Sequence, residues 1–290
     1  MKKIVSLISL MFVAGLTACT NDSVEDNTLD ENTRNVTLNF GMSSDFAPIT
    51  RGSSNLSDFL SYINVYFYNE GTHSVEKSAS QTSNKAGFGT MTVGLSKATY
   101  TVWAAGTSTE PTITNNEILS YPDDIVEDTF VGYGAINTNT QSLYSMNLNR
   151  AVAKICVLLT DVNIPTNVTK IRITHNGYTK YDLHTGCYDS NSNGEHIILY
   201  DTDKVNDEFS FLVFADAKSN SSEANAEKIT FTMDALDANN DIVESKTFEN
   251  VPVRPNYVTT YTGAFYADKY FDFSINSDSD WSVTSYDKTF

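Results

Sequence analysis

His184 and Cys187 stand at an i, i+3 spacing in "HTGC", which offers two soft ligands of the kind zinc takes. A structural zinc needs two more, and His73, His175 and His196 are dispersed, so a turn bearing a histidine is the favoured reading. Asp189-Ser190-Asn191-Ser192-Asn193-Gly194 places oxygen side chains at the first, third and fifth positions of a calcium loop and glycine at the sixth. Asp189, Asn191 and Asn193 would then be ligands of a structural calcium, the one cofactor the chain hints at. The twelfth position is Tyr200 where a bidentate Glu is needed, and Asn-Gly is also a hairpin turn signal, which is preferred here. Asp237 to Asp241 is a weaker version of the same pattern. Pairs such as Asp123-Asp124 have glycosidase chemistry open to them, but a chain with 36 acidic residues meets such pairs on any solvated face. No phosphate loop, dinucleotide fingerprint, nucleophile elbow or His-Glu-x-x-His occurs, so nothing points to an enzyme. Tyr62, Tyr66 and Tyr68 form an alternating aromatic row that either stacks on sugars or lies under another sheet, the second being preferred.

Different chemistry sits at the start of the chain. Lys2 and Lys3 precede an apolar run from Ile4 to Leu16, too short for the roughly 20 residues of a membrane-spanning helix. The run reads as a secretory signal over residues 1–18, and Leu16-Thr17-Ala18-Cys19 resembles a bacterial lipobox, which predicts acylation of Cys19. Residues 19–35 are acidic and poor in apolar side chains, so they read as a tether. Arg34, at the end of that tether, and Arg51 are the first two arginines of the chain.

Without Lys2 and Lys3 the formal charge falls from −17 to −19. Such a chain repels phosphate backbones, which excludes nucleic acid as a partner. Export permits a disulfide between Cys156 and Cys187, and spacing does not decide whether they pair.

These residues must be positioned by strands. Period-two alternation recurs in "VTLNFG" (36–41), "YINVYFY" (62–68), "TMTVGL" (90–95), "TYTVWAAG" (99–106), "KITFTMDAL" (228–236) and "YVTTYTGAFY" (257–266). With 16 Tyr and 16 Phe and abundant Val and Thr, the composition favours strands, and the turn clusters between them favour β-sandwiches. "NLSDFLS" (55–61) admits a short helix capped by Asn55 or Ser57. From Thr107 to Ser142 the alternation lapses, which predicts a long loop, with strand character resuming at Leu143. The fold is expected to be all-β, with sandwich domains at 36–147 and 148–290. Strands of the second are expected near 151, 168, 196, 208, 228, 242, 257 and 270. The alternation in 270–290 suits a strand pair that either folds back or is donated to a neighbour.

Taken in order, the lipobox, the tether, "VTLNFG", "YINVYFYNEG", "GLSKATYTVWAAG", "LNRAVAKICVLL" and "FENVPVRPNYVTTYTGAFY" resemble the fimbrillin superfamily of Bacteroidales. The most specific pieces are Arg150 to Lys154 and Val253 to Tyr257. The resemblance implies two tandem transthyretin-like sandwiches and a type V pilus subunit or adhesin. It further implies export as a lipoprotein to the outer face of the outer membrane, cutting by an arginine-specific protease in the tether or first strand, with Arg34 and Arg51 the candidate sites, and assembly by strand complementation. Partners would be other pilin subunits, the outer membrane through the lipid, and host or bacterial surface ligands. A monomeric glycan-binding surface lipoprotein is the alternative.

Overall fold

The computed structural model describes residues 31–42, 55–161, 164–192, 194–201, 208–216 and 226–266, and the backbone of 272–275 and 286–288. The signal segment, Cys19, most of the tether, Arg51 and Asn193 lie outside the described residues.

In the first half the strands are β1 (Thr33–Met42), β2 (Tyr62–Asn69), β3 (Ser74–Thr82), β4 (Thr90–Ser96) and β5 (Thr99–Thr107). They continue with β6 (Thr112–Thr114), β7 (Ile118–Ser120), β8 (Thr129–Asn137) and β9 (Leu143–Arg150). Strand order is β3-β2-β5-β8-β9-β1-β4. β8 and β9 share only the pairs Phe130–Arg150 and Val131–Asn149, and the ribbon turns a corner there. The four strands before that corner therefore face the three after it. Ile63, Val65, Phe67, Tyr100 and Val102 on one layer meet Val36, Leu38, Met91, Val93 and Leu148 on the other, all buried in one core. Successive side chains in a strand point to opposite faces, which is why the alternating residues of "YINVYFY" enter this core together. The "NLSDFLS" segment supplies a 3-10 turn at Leu56–Asp58, fixed by the Asn55 N–H donating to Asp58 at 2.9 Å.

The second half contains β10 (Val152–Leu159), β11 (Lys170–His175), β12 (Tyr181–Asp182), β13 (Cys187–Tyr188), β14 (His196–Asp201) and β15 (Glu208–Phe214). It closes with β16 (Glu227–Leu236), β17 (Ile242–Val253), β18 (Val258–Gly263), β19 (Asp272–Ile275) and β20 (Tyr286–Lys288). One sheet runs β15-β10-β18-β19-β20 and the other β14-β11-β16-β17. Ile155, Val157, Phe211 and Tyr261 of the first pack on Ile171, Ile173, Phe231 and Phe248 of the second. The strands expected near 151 through 270 all occur, and the molecule is all-β with sandwich layering.

Three expectations differ from the structure. The stretch 107–142 is not a long loop, because it holds β6, β7 and β8. β8 escapes the alternation test because Gly132 and Gly134 stand where apolar side chains would mark its inner face. A Cβ on Gly132 would lie 2.8 Å from Met146, so the opposite layer fills the space. The tether also ends sooner than residue 35, since β1 begins at Thr33. At the other end of this half, β9 runs through the division expected at 147 as far as Arg150.

Buried Arg150, held by a half-buried ion pair with Asp128, links the halves through Asn256. The Arg150 guanidinium donates through Nε and Nη2 to the two Asp128 oxygens at 2.7 and 2.8 Å, and through Nη1 to Asn256 at 3.1 Å. The Asn256 N–H donates to Val152 O, and the Lys154 N–H to Tyr257 O. The two short motifs at 150–154 and 253–257 are therefore one structural unit. β6, β7, β12 and β13 form a small sheet beside this junction.

Candidate strand-exchange groove

β1 lies between two strands distant from it in sequence. It pairs antiparallel with β4, Thr33 to Asn39 facing Ser96 to Thr90, and parallel with β9, Thr37 to Met42 alongside Leu143 to Leu148. The two ladders overlap only at Thr37–Asn39, so each end of β1 is bonded mainly on one side. Val36 and Leu38 are fully buried and Phe40 is half-buried against the same core. Burying a side chain of this size stabilises by about 1.5–3 kcal/mol. On the outer face the Thr37 and Thr92 hydroxyls lie 2.9 Å apart, and Thr90 donates to Asn39 at 3.1 Å. Removing β1 would leave an apolar trough bordered by two strands with unsatisfied backbone groups, the geometry that β-augmentation fills.

Arg34 lies in β1 itself, half-buried and opposite Leu95. A cut there leaves Asn35 to Met42 in the trough, whereas a cut at Arg51 severs all of β1 from the sandwich.

The other residues singled out by type are placed elsewhere. Asp189 Oδ1 accepts from the N–H and side-chain amide of Asn191 at 3.0 and 2.9 Å, so its carboxylate closes a turn. His184 packs at a tilt against Trp103, with ring centroids 4.9 Å apart, and stacks on Tyr68 at 5.4 Å. The Cys187 thiol lies 3.0 Å from the Thr185 hydroxyl, so His184 and Cys187 have separate partners. Among the described residues no three His, Cys, Asp or Glu gather closely enough to hold a metal ion. Cys156 is buried in β10 and is not bridged to half-buried Cys187. Tyr66 is buried and Tyr68 half-buried, packed with Trp103 beneath the small sheet, so these two tyrosines of the row are covered, while half-buried Tyr62 lies outside that cluster.

One pair was not visible in the sequence. The β11–β14 register brings His175 opposite His196, with ring centroids 5.4 Å apart. His175 accepts from the Gly177 N–H at 3.2 Å and stacks on Phe211. Burial, and then the neighbouring charge of His196, push its pKa down to about 3. Only the register reveals this pair, since 20 residues separate its members.

A family model described as a family of unknown function, DUF6562, matches residues 119–289. No curated protein matches the chain. Among solved structures it is similar to the fimbrial anchor protein Mfa2 of Porphyromonas gingivalis, with 13% identity, a TM-score of 0.53 and coverage of 88% of this chain and 100% of that one. It is similar also to a candidate adhesin of Bacteroides ovatus, at 12% identity, TM-score 0.51, and 81% and 89% coverage. A third similarity is to a candidate polysaccharide-binding protein of Bacteroides thetaiotaomicron, at 10% identity, TM-score 0.50, and 88% and 98% coverage. At these identities the likeness is one of fold.

Proposed function

The chain belongs to DUF6562, a family of unknown function, and we propose that it is a fimbrial subunit or adhesin assembled by strand complementation. The observation that carries this reading is the position of β1, a terminal strand whose departure opens a groove with two unpaired borders and an apolar floor. The shared fold with a fimbrial anchor protein and a candidate adhesin supports it. In this reading the chain is exported as a lipoprotein acylated on Cys19 and presented on the outer membrane or in a fimbrium. It works without catalysis, through two sandwich domains that meet near Ala151. Arg51 is the preferred cut, because it lies beyond β1 and a cut there frees the whole strand. A neighbouring subunit then supplies the replacement, the segment 270–290 of a second copy being the candidate donor.

The test is treatment of the full protein, purified without lipid, with an arginine-specific protease. The expected result is a cut at Arg51 followed by oligomers in size-exclusion chromatography and filaments in electron microscopy. A protein that is cut and stays monomeric, with β1 retained, would overturn the reading.

A further inference from the structure

If β1 leaves, β4 is left in an unusual position. It is last in the strand order and, among the described residues, β1 is its one strand neighbour, so departure of β1 removes its entire ladder. Met91, Val93 and Leu95 still hold its apolar face to the core, but apolar contact is non-directional and does not fix how the strand sits along its length. An incoming strand reads that register through backbone hydrogen bonds.

Two side chains of β3, at the edge of the facing layer, reach across the open side of the sandwich to the two ends of β4. At its start, the Gln81 amide donates to Gly87 O at 3.1 Å and Thr90 O at 3.4 Å, while its oxygen accepts from the Gly89 N–H at 2.9 Å. At its end, Glu76 Oε1 accepts from the Ser96 N–H at 3.1 Å. Glu76 is available because the β2–β3 ladder bulges there: Lys77 faces Phe67 and Val75 faces Tyr68, leaving Glu76 as the extra residue. Its second oxygen accepts from Asn69 Nδ2 at 2.7 Å and the Tyr100 hydroxyl at 2.8 Å. Burial opposes its charge, yet these donors together hold its carboxyl below the usual range.

We propose that Gln81 and Glu76 are positioning residues that strap β4 at both ends, so that the groove keeps its register while β1 is gone and a replacement strand has yet to arrive. This rests on the strand-exchange reading and assigns that groove its preorganising residues.

The test uses the full chain with a specific protease site placed between Met42 and Asn55. After cutting, the N-terminal piece is stripped in mild denaturant, buffer is restored, and a fluorescent peptide of residues 33–42 is added. Association and dissociation rates are measured for the parent, Gln81→Glu, Gln81→Ala and the Gln81→Ala/Glu76→Ala pair. Association of the double variant should fall about tenfold, as when the competent fraction drops from most to roughly a tenth, with dissociation changed less than about twofold. Gln81→Glu keeps the acceptor for Gly89 but loses the amide donor, and should fall between. Melting of the uncut variants is followed in parallel, and Gln81→Ala alone serves if the double variant does not fold. A double variant that captures peptide at the parental rate overturns the strap and leaves strand exchange standing. A parent that captures none overturns strand exchange, and the strap with it.

Discussion

Leu38→Ala tests how β1 is held. Leu38 sits at the centre of β1, 1% exposed, opposite Met91 of β4 and alongside Tyr144 of β9. Truncating a buried leucine costs about 2–5 kcal/mol, the transfer of the lost atoms plus the cavity left behind. In the intact chain this is a loss of folding stability. Once the connection beyond Met42 is cut, β1 is a bound segment, and the same loss becomes a loss of its affinity. Affinity differences between related complexes lie mostly in dissociation. At about 1.36 kcal/mol per factor of ten, release should quicken at least 30-fold and up to several thousand-fold. The assay cuts the full chain between Met42 and Asn55, with a fluorophore on the N-terminal piece, and chases with excess unlabelled peptide. Thr37→Ala is the control, since it removes only an exposed hydroxyl pair, and should change release by no more than a few-fold. Equal release rates for Leu38→Ala and the parent would refute the claim that apolar burial holds β1. So would a Thr37→Ala variant as fast as Leu38→Ala.

Gly132→Val should destabilise the uncut protein by about 1–3 kcal/mol, read as a lower melting temperature, because its Cβ would lie 2.8 Å from Met146 and 3.0 Å from Leu148. Asp128→Ala should cost about 3 kcal/mol in urea unfolding, since it strips the bidentate partner from a guanidinium buried between the halves. His175 binds its proton less readily folded than unfolded, so its contribution is complete above the ordinary histidine pKa and is lost as pH falls from about 6.5 toward 3. Urea unfolding at pH 7 and pH 4 should show the parent losing about 2–4 kcal/mol more than His175→Phe; equal losses would contradict the assignment.

Much of this fold is legible because strands with one buried face write a period of two. Ile63, Val65 and Phe67, or Ile229, Phe231 and Met233, mark their own inner faces. Where the inner face is built by absence, the signal fails, as in β8, where Gly132 and Gly134 yield to Met146. The start of β1 was hidden for another reason. Thr33, Arg34 and Asn35 have the composition of a tether, and their strand conformation comes from β4, some 60 residues away. The candidate groove was readable as an idea from Arg51 and "VTLNFG", but the central place of β1 depends on a parallel pairing with β9 that no local pattern encodes. Gln81 and Glu76 were invisible for the same cause. Each is an ordinary polar residue in sequence, and the bulge at Phe67–Tyr68 and the layering of β3 over β4 give them their partners.

Native mass spectrometry of the protein after cutting at Arg51 tests the central claim most directly. The account predicts oligomers in which every joined subunit has lost the piece carrying residues 33–42, with one unjoined groove at the end of each chain of subunits. Oligomers whose subunits all keep that piece, or a cut protein that remains a monomer with β1 bound, would contradict it.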